Sequence, residues 1–210
     1  MIAGAEAELQ RILASRAFRC AEGNQDKRDQ LAHAIQHVEV DGLWLEFGVS
    51  TGGSIKCITS LTDRMVYGFD WFEGLPEDWV LGEGYYPYPR GSFRGRPSFT
   101  RPNMTLLVGL FQETLPAFLS AHAGPVAFLH VDCDLYSSTR YVLQALRDRF
   151  VAGTVIAFDD LFNYPNFAHH EMRAFVELAA TAGLEYTYLG HVPAKTAASV
   201  QITRVRANER

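Results

Sequence analysis

Acidic residues close several short apolar runs in this chain, and their spacing carries most of its chemical content. The run VAFLHV leads into Asp132-Cys133-Asp134-Leu135-Tyr136, and TVIAF leads into Asp159-Asp160. Adjacent parallel strands would bring Asp132 close to Asp159 and Asp160. Carboxylates held that near one another repel strongly, and a hard, oxygen-preferring cation is the simplest way to relieve them. No Cys/His spacing accompanies these acids, so the ion expected is Mg²⁺, or Mn²⁺, rather than Zn²⁺. Acids that only capped helices would need one carboxylate per helix.

Two earlier run ends point to a second ligand. The segment Glu46-Phe47-Gly48-Val49-Ser50-Thr51-Gly52-Gly53-Ser54 is a Gly-rich turn between a strand and a helix. Missing side chains there let a ligand approach the backbone and the helix N-terminus, although a tight turn needing glycine for geometry alone reads the same way. The spacing is neither the GxGxxG of dinucleotide enzymes nor a P-loop. One β-α unit later, Phe69-Asp70 offers a carboxylate to the two hydroxyls of a ribose, or a cap to the next helix. Glu46 with Asp70 suggests an adenosyl ligand without a pyrophosphate.

The elements that must position these residues follow from texture. LWLEFGV, MVYGFD, MTLLVG, VAFLHVD and TVIAFDD are short, nearly continuous apolar runs, which predicts buried parallel strands. Helix-length stretches alternate with them (SIKCITSLT, LPAFLSAHA, TRYVLQALRDRF, HEMRAFVELAATA), so the fold class is α/β, an open Rossmann-like sheet with helices on both faces. Such sheets bind ligands beyond the carboxyl ends of their strands. EYTYLGHV and ASVQITRV are joined through Pro193-Ala194-Lys195, with too few residues between them for a crossover helix, and should form a hairpin supplying one antiparallel strand. Residues 1–40 read as a short N-terminal helical segment, with helices over roughly 4–18 and 26–38 broken at Gly23-Asn24, ahead of a domain over 41–210. Residues 82–103, rich in Gly, Pro, Tyr and Arg and without periodicity, are expected to be a mobile loop over the site, with Tyr85, Tyr86 and Tyr88 as pocket candidates.

The bulk properties narrow the partners. A chain of 210 residues suits one domain with a full core. With 20% charged residues and a net charge of −5, it lacks the basic footprint of a nucleic-acid binder, which favours a small-molecule partner. Cys20, Cys57 and Cys133 are too few and too scattered for a disulfide framework or a zinc pattern, so a reduced, cytoplasmic setting is expected. The N-terminal stretch lacks the apolar core of a signal peptide, and no membrane partner is expected.

With these motifs in place, the chain resembles the macrocin O-methyltransferase family, sugar methyltransferases of macrolide and aminocoumarin antibiotic pathways, over about residues 41–180. The carriers are Glu46–Gly53, Phe69-Asp70-Trp71-Phe72-Glu73-Gly74-Leu75-Pro76, Gly109-Leu110-Phe111-Gln112-Glu113-Thr114-Leu115-Pro116, Asp132-Cys133-Asp134-Leu135-Tyr136-Ser137-Ser138-Thr139, and Asp159-Asp160. The resemblance implies a class I methyltransferase sheet, mostly parallel and seven-stranded. It implies S-adenosylmethionine held by Glu46, Phe47, Gly48, Ser50, Thr51, Ser54, Asp70, Gly109, Phe111 and Asp132. It also implies Mg²⁺ ligated by Asp132, Asp159 and Asp160, with Asp134 as general base for a hydroxyl of a sugar or other natural-product acceptor. A homodimer is the candidate assembly. Asp134 lies two residues from a ligand and so on the same side of an extended segment. His130 reads as a strand residue beneath the site, and His169 and His170 as helix-start residues or an alternative base.

Two rival readings belong to other classes. A Mg²⁺-dependent phosphohydrolase of the haloacid dehalogenase type also ends strands in Asp-x-Asp and Asp-Asp. It carries the first on an early strand, though, whereas here that motif is late, Tyr136 stands two residues beyond it, and no Lys lies between it and Asp159. A non-catalytic adenosyl-ligand domain is the second, against which the full acidic set argues.

Overall fold

The structure is a computed structural model describing residues 4–19 and 25–206. The expected break at Gly23-Asn24 lies outside the described residues. In chain order the elements are α1 (Ala5–Leu13), β1 (Arg16–Ala17), α2 (Gln25–Gln36), β2 (Leu43–Phe47), α3 (Gly53–Leu61), β3 (Val66–Asp70), β4 (Met104–Val108), α4 (Phe111–Ala121), β5 (Val126–Val131), α5 (Tyr136–Ala145), β6 (Val155–Phe158), α6 (Glu171–Ala182), β7 (Leu184–His191) and β8 (Ala198–Val205).

The strands form one sheet in the order β1-β7-β8-β6-β5-β2-β3-β4. Every described pairing is parallel except those of β8, which runs antiparallel to both β6 and β7. Seven strands and the antiparallel hairpin match expectation. The eighth is a two-residue ribbon, Arg16 and Ala17 beside Gly190 and His191. It exists because α1 stops at Leu13, short of the expected residue 18. The Ser15 hydroxyl turns back to donate to the Ile12 carbonyl at 2.6 Å, a local bond that competes with helix continuation.

β2, β5 and β6 are buried along their whole length, as strands covered on both faces must be. Their side chains alternate between two cores. Leu45, Phe47, Leu129, Val131, Ile156 and Phe158 join the core that includes residues of α1, α4, α5 and α6. Trp44, Phe128, Val155 and Ala157 join the core lined by Leu31, Ala34 and Ile35 of α2 and Ile55 and Ile58 of α3. The first two helices therefore cover opposite faces of the sheet. α1 is further tied to β7 by Tyr188, whose hydroxyl donates to Glu8 at 2.8 Å, and by the Arg11 guanidinium over the Tyr186 ring. Among the described residues, no helix is long and apolar enough to cross a membrane.

Candidate active site

A cleft of about 1080 Å³ opens at the carboxyl ends of β2 to β6. One half is built from turns. Gly48, directly after β2, has φ +87°, and a β-carbon there would lie 1.7 Å from the Asp132 carbonyl oxygen. Only glycine lets the two strand ends approach this closely. Asp70, at the tip of β3, accepts from the backbone N–H groups of Val49 and Ser50 at 2.8 Å each and of Phe72 at 2.6 Å. It thus fixes the glycine turn, and about one of its roughly four lone-pair positions is left for a ligand hydroxyl. Gly109, Leu110 and Phe111 complete this half from the end of β4.

Of the residues expected to hold a cofactor, Gly48, Ser50, Asp70, Gly109, Phe111 and Asp132 line the cleft, whereas Glu46, Phe47, Thr51 and Ser54 do not. Phe47 is buried and stacks on Phe69 with ring centroids 4.5 Å apart, its edge toward Phe111. Thr51 is exposed at the turn. Glu46 is wholly buried on the α2/α3 face of the sheet, where Ser54 Oγ donates to its Oε1 at 2.5 Å and His130 Nδ1 lies 3.5 Å away. Burial works against a charged imidazole, but Glu46, Asp132 and Asp159 more than offset it, raising His130 to about 9.

The other half of the cleft is acidic. Asp132, Asp134, Asp159 and Asp160 all line it. One oxygen from each of Asp132, Asp134 and Asp160 falls within 4.8 Å of the others, and the same holds for ligand atoms of His130, Asp132 and Asp159. Burial, then neighbouring carboxylates, push Asp132 and Asp134 well above the usual carboxylate range, and burial with Asp159 pushes Asp160 up to about 6. Hard oxygen donors converging in this way are the donor set a Mg²⁺ or Mn²⁺ ion requires. Asp134 adopts φ +62°, an uncommon left-handed backbone that aspartate tolerates better than most residues.

Four residues that the sequence did not single out as partners of this rim hold it in shape. Glu171, at the start of α6 and fully buried, accepts from the Cys133 N–H and the Asp160 N–H at 3.3 Å each, joining the two acidic loops. Thr196 Oγ1, from the β7–β8 loop, lies 2.7 Å from both Asp160 Oδ1 and the Asp159 carbonyl oxygen. Lys27 Nζ, from α2, lies 2.6 Å from Asp159 Oδ2. Tyr164 donates its hydroxyl to the Asp160 carbonyl at 3.1 Å. A glutamate in a helix's first turn is a weak sequence signal, because it also simply complements the helix dipole.

Residues 82–103 and the segment before them supply an aromatic wall. Trp79 and Tyr88 exchange backbone hydrogen bonds at 2.8 and 2.9 Å and stack with centroids 5.4 Å apart, and Tyr164 meets Trp79 edge-on. Ser50 Oγ donates to the Phe93 carbonyl at 2.9 Å, tying this segment to the glycine turn. Tyr85, Tyr88 and Phe93 line the cleft, whereas Tyr86 is 94% exposed. His169 is exposed, and His170 packs beside Trp79 with Nε2 3.1 Å from the Val80 carbonyl; neither lines the cleft.

A mostly parallel sheet with one inserted antiparallel strand, glycine turns at one strand end and no phosphate loop defines a Rossmann-like protein of the methyltransferase class. Comparison with known sequences and structures agrees. The family described as Methyltransferase domain matches residues 45–161, more than half of the chain, and the chain belongs to that family. The 8-demethyl-8-(2,3-dimethoxy-alpha-L-rhamnosyl)-tetracenomycin-C 4'-O-methyltransferase of Streptomyces olivaceus is 30% identical over 156 residues, covering 63% of this chain. The match spans 59% of that relative's length. Among solved structures, CalS11, a calicheamicin methyltransferase, shares the fold with a TM-score of 0.68 and 22% identity over 85% of this chain and 80% of its own. The O-methyltransferase NovP does so with a TM-score of 0.66, at the same identity and coverage.

Proposed function

We propose that this chain is an S-adenosylmethionine-dependent O-methyltransferase that uses a divalent cation, Mg²⁺ or Mn²⁺, to methylate a hydroxyl of a small-molecule acceptor such as a natural-product sugar. The observation that carries this reading is the convergence of Asp132, Asp134, Asp159 and Asp160 in one cleft with Gly48, Asp70 and Gly109. The similarity to the tetracenomycin-C O-methyltransferase supports it, since that relative's name specifies a rhamnosyl compound and an O-methyl transfer. In this reading residues 41–210 are the catalytic domain and 82–103 its moving cover.

When bound, the cofactor supplies an electrophilic methyl carbon and the cation a Lewis acid for adjacent hydroxyls. Gly48, Ser50, Asp70, Gly109 and Phe111 would hold the cofactor, and Asp132, Asp159 and Asp160 the ion. A neutral alcohol is a poor nucleophile, so its proton must leave as the new bond forms. Asp134 takes that proton at its carboxylate: it lines the cleft beside Asp132 and Asp160. The Trp79, Tyr88 and Phe93 wall excludes water and offers aromatic faces to the acceptor. The test is mass spectrometry of hydroxylated natural-product glycosides after incubation with S-adenosylmethionine and Mg²⁺. A gain of one methyl that disappears in Asp134→Asn, with cofactor binding retained by calorimetry, is expected. Wild-type turnover in that variant would remove Asp134 from the base role.

A further inference from the structure

Lys27 brings an ammonium to the acidic rim. It reaches Asp159 Oδ2 at 2.6 Å, with side chains only 24% and 21% exposed, so this is not a loose surface pair. Asp160 and Asp132 add to the attraction on the same ammonium. An ammonium this far from water is held by the carboxylates it faces. Its anchor is firm: Lys27 sits in the first turn of α2, whose Leu31, Ala34 and Ile35 are buried in the core over β2, β5 and β6. The four-carbon stem remains flexible, so the ammonium can leave Asp159 while the helix stays docked.

We propose that Lys27 is a tethered counter-cation of the rim: its ammonium holds Asp159 until a divalent cation displaces it, so that α2 sets the affinity of the site for its ion. The inference rests on the reading of Asp159 as a ligand. Lys27 and a divalent ion compete for the same carboxylate, and two like charges on one carboxylate repel. With the ammonium in place, the ion-free rim keeps its shape instead of splaying under repulsion; with the ion bound, the ammonium is released toward the cleft or solvent.

Calorimetric titration of the full chain with MnCl₂ and MgCl₂ tests this without any turnover. Lys27→Met, which keeps the stem and removes the charge, is expected to bind Mn²⁺ at least about tenfold tighter than wild type, a change of about 1.4 kcal/mol. Lys27→Arg should stay near wild type. Equal or weaker binding by Lys27→Met overturns the proposal, as does an absence of binding in both. Loss of Mn²⁺ binding in Asp159→Asn is the separate check on the ligand assignment, and its persistence there refutes that assignment. A second measurement needs no variant. The chain has three lysines, Lys27, Lys56 and Lys195, so amine labelling mapped by mass spectrometry can use Lys56 as an internal reference. Saturating Mg²⁺ should raise labelling of Lys27 relative to Lys56 severalfold, and an unchanged ratio overturns the displacement.

Discussion

Replacing Gly48 by alanine tests whether the turn after β2 is built around a missing side chain. The residue has φ +87°, a region that costs an L-residue about 1–2 kcal/mol. The added β-carbon would stand 1.7 Å from the Asp132 carbonyl oxygen and 2.7 Å from its carbonyl carbon. Backbone atoms cannot rotate away as a side-chain tip can, so the ends of β2 and β5 must part. That strains the hydrogen bonds from Gly48 N to Phe69 O at 3.0 Å and from Asp132 N to Phe47 O at 2.9 Å. Overpacking of this kind costs a further 1–3 kcal/mol, for a total of about 2–5 kcal/mol. In a domain of this size each kcal/mol moves the melting temperature by about 2–4 °C, so Gly48→Ala should melt roughly 4–20 °C lower. Gly53→Ala is the control: a β-carbon added there would meet nothing within 4 Å, and the residue opens α3, where alanine is neutral or stabilising by up to about 1 kcal/mol. Calorimetric melting of both variants, with S-adenosylhomocysteine titrated into each, makes the comparison. A Gly48→Ala protein that melts with Gly53→Ala and binds the nucleoside equally well would refute the close-approach argument.

Glu171→Ala leaves the Cys133 and Asp160 N–H groups without their partner, at about 1–3 kcal/mol each, and should lower the denaturation midpoint accordingly; a loss under about 1 kcal/mol would show that water replaces the carboxylate. Asp160 binds its proton more tightly folded than unfolded, so its contribution is fully present below about pH 4 and lost as pH rises through about 6. In chelator-treated protein Asp160→Asn should therefore melt above wild type beyond pH 6, with the gap closing toward pH 4; a gap that does not vary with pH would contradict this. Mg²⁺ at a hundred times its dissociation constant should stabilise wild type by about 2.7 kcal/mol in thermal melts. Asp132→Asn should lose that response, and an unaltered Mg²⁺ shift in the variant would exclude Asp132 from the ligand set.

The parallel strands were legible because β2, β5 and β6 need apolar residues on both faces, and the hairpin because the connection through Pro193-Ala194-Lys195, between His191 and Ala198, is too short for a crossover helix. The acidic rim was legible for the same local reason: its members end strands. Glu46 stands one residue before the end of β2, and alternation sends it to the face opposite Leu45 and Phe47, away from the cleft, where it meets His130. Lys27 and Thr196 left no such mark. They reach Asp159 and Asp160 across 132 and 36 residues of sequence, and contacts made only by tertiary packing have no periodic signature. The overrun of the first helix past Leu13 has a smaller cause, the single hydroxyl of Ser15.

The placement of β8 between β6 and β7 bears on how the molecule is made. β7 has no neighbour toward the sheet centre until β8, the last strand, threads in beside it. Until then α1 lacks the tyrosines it packs against, and Asp160 lacks the hydroxyl of Thr196. During synthesis, where residues emerge in order, α1 and the acidic loops thus wait for partners far downstream of them, and the rim is completed only when the β7–β8 hairpin has joined the sheet.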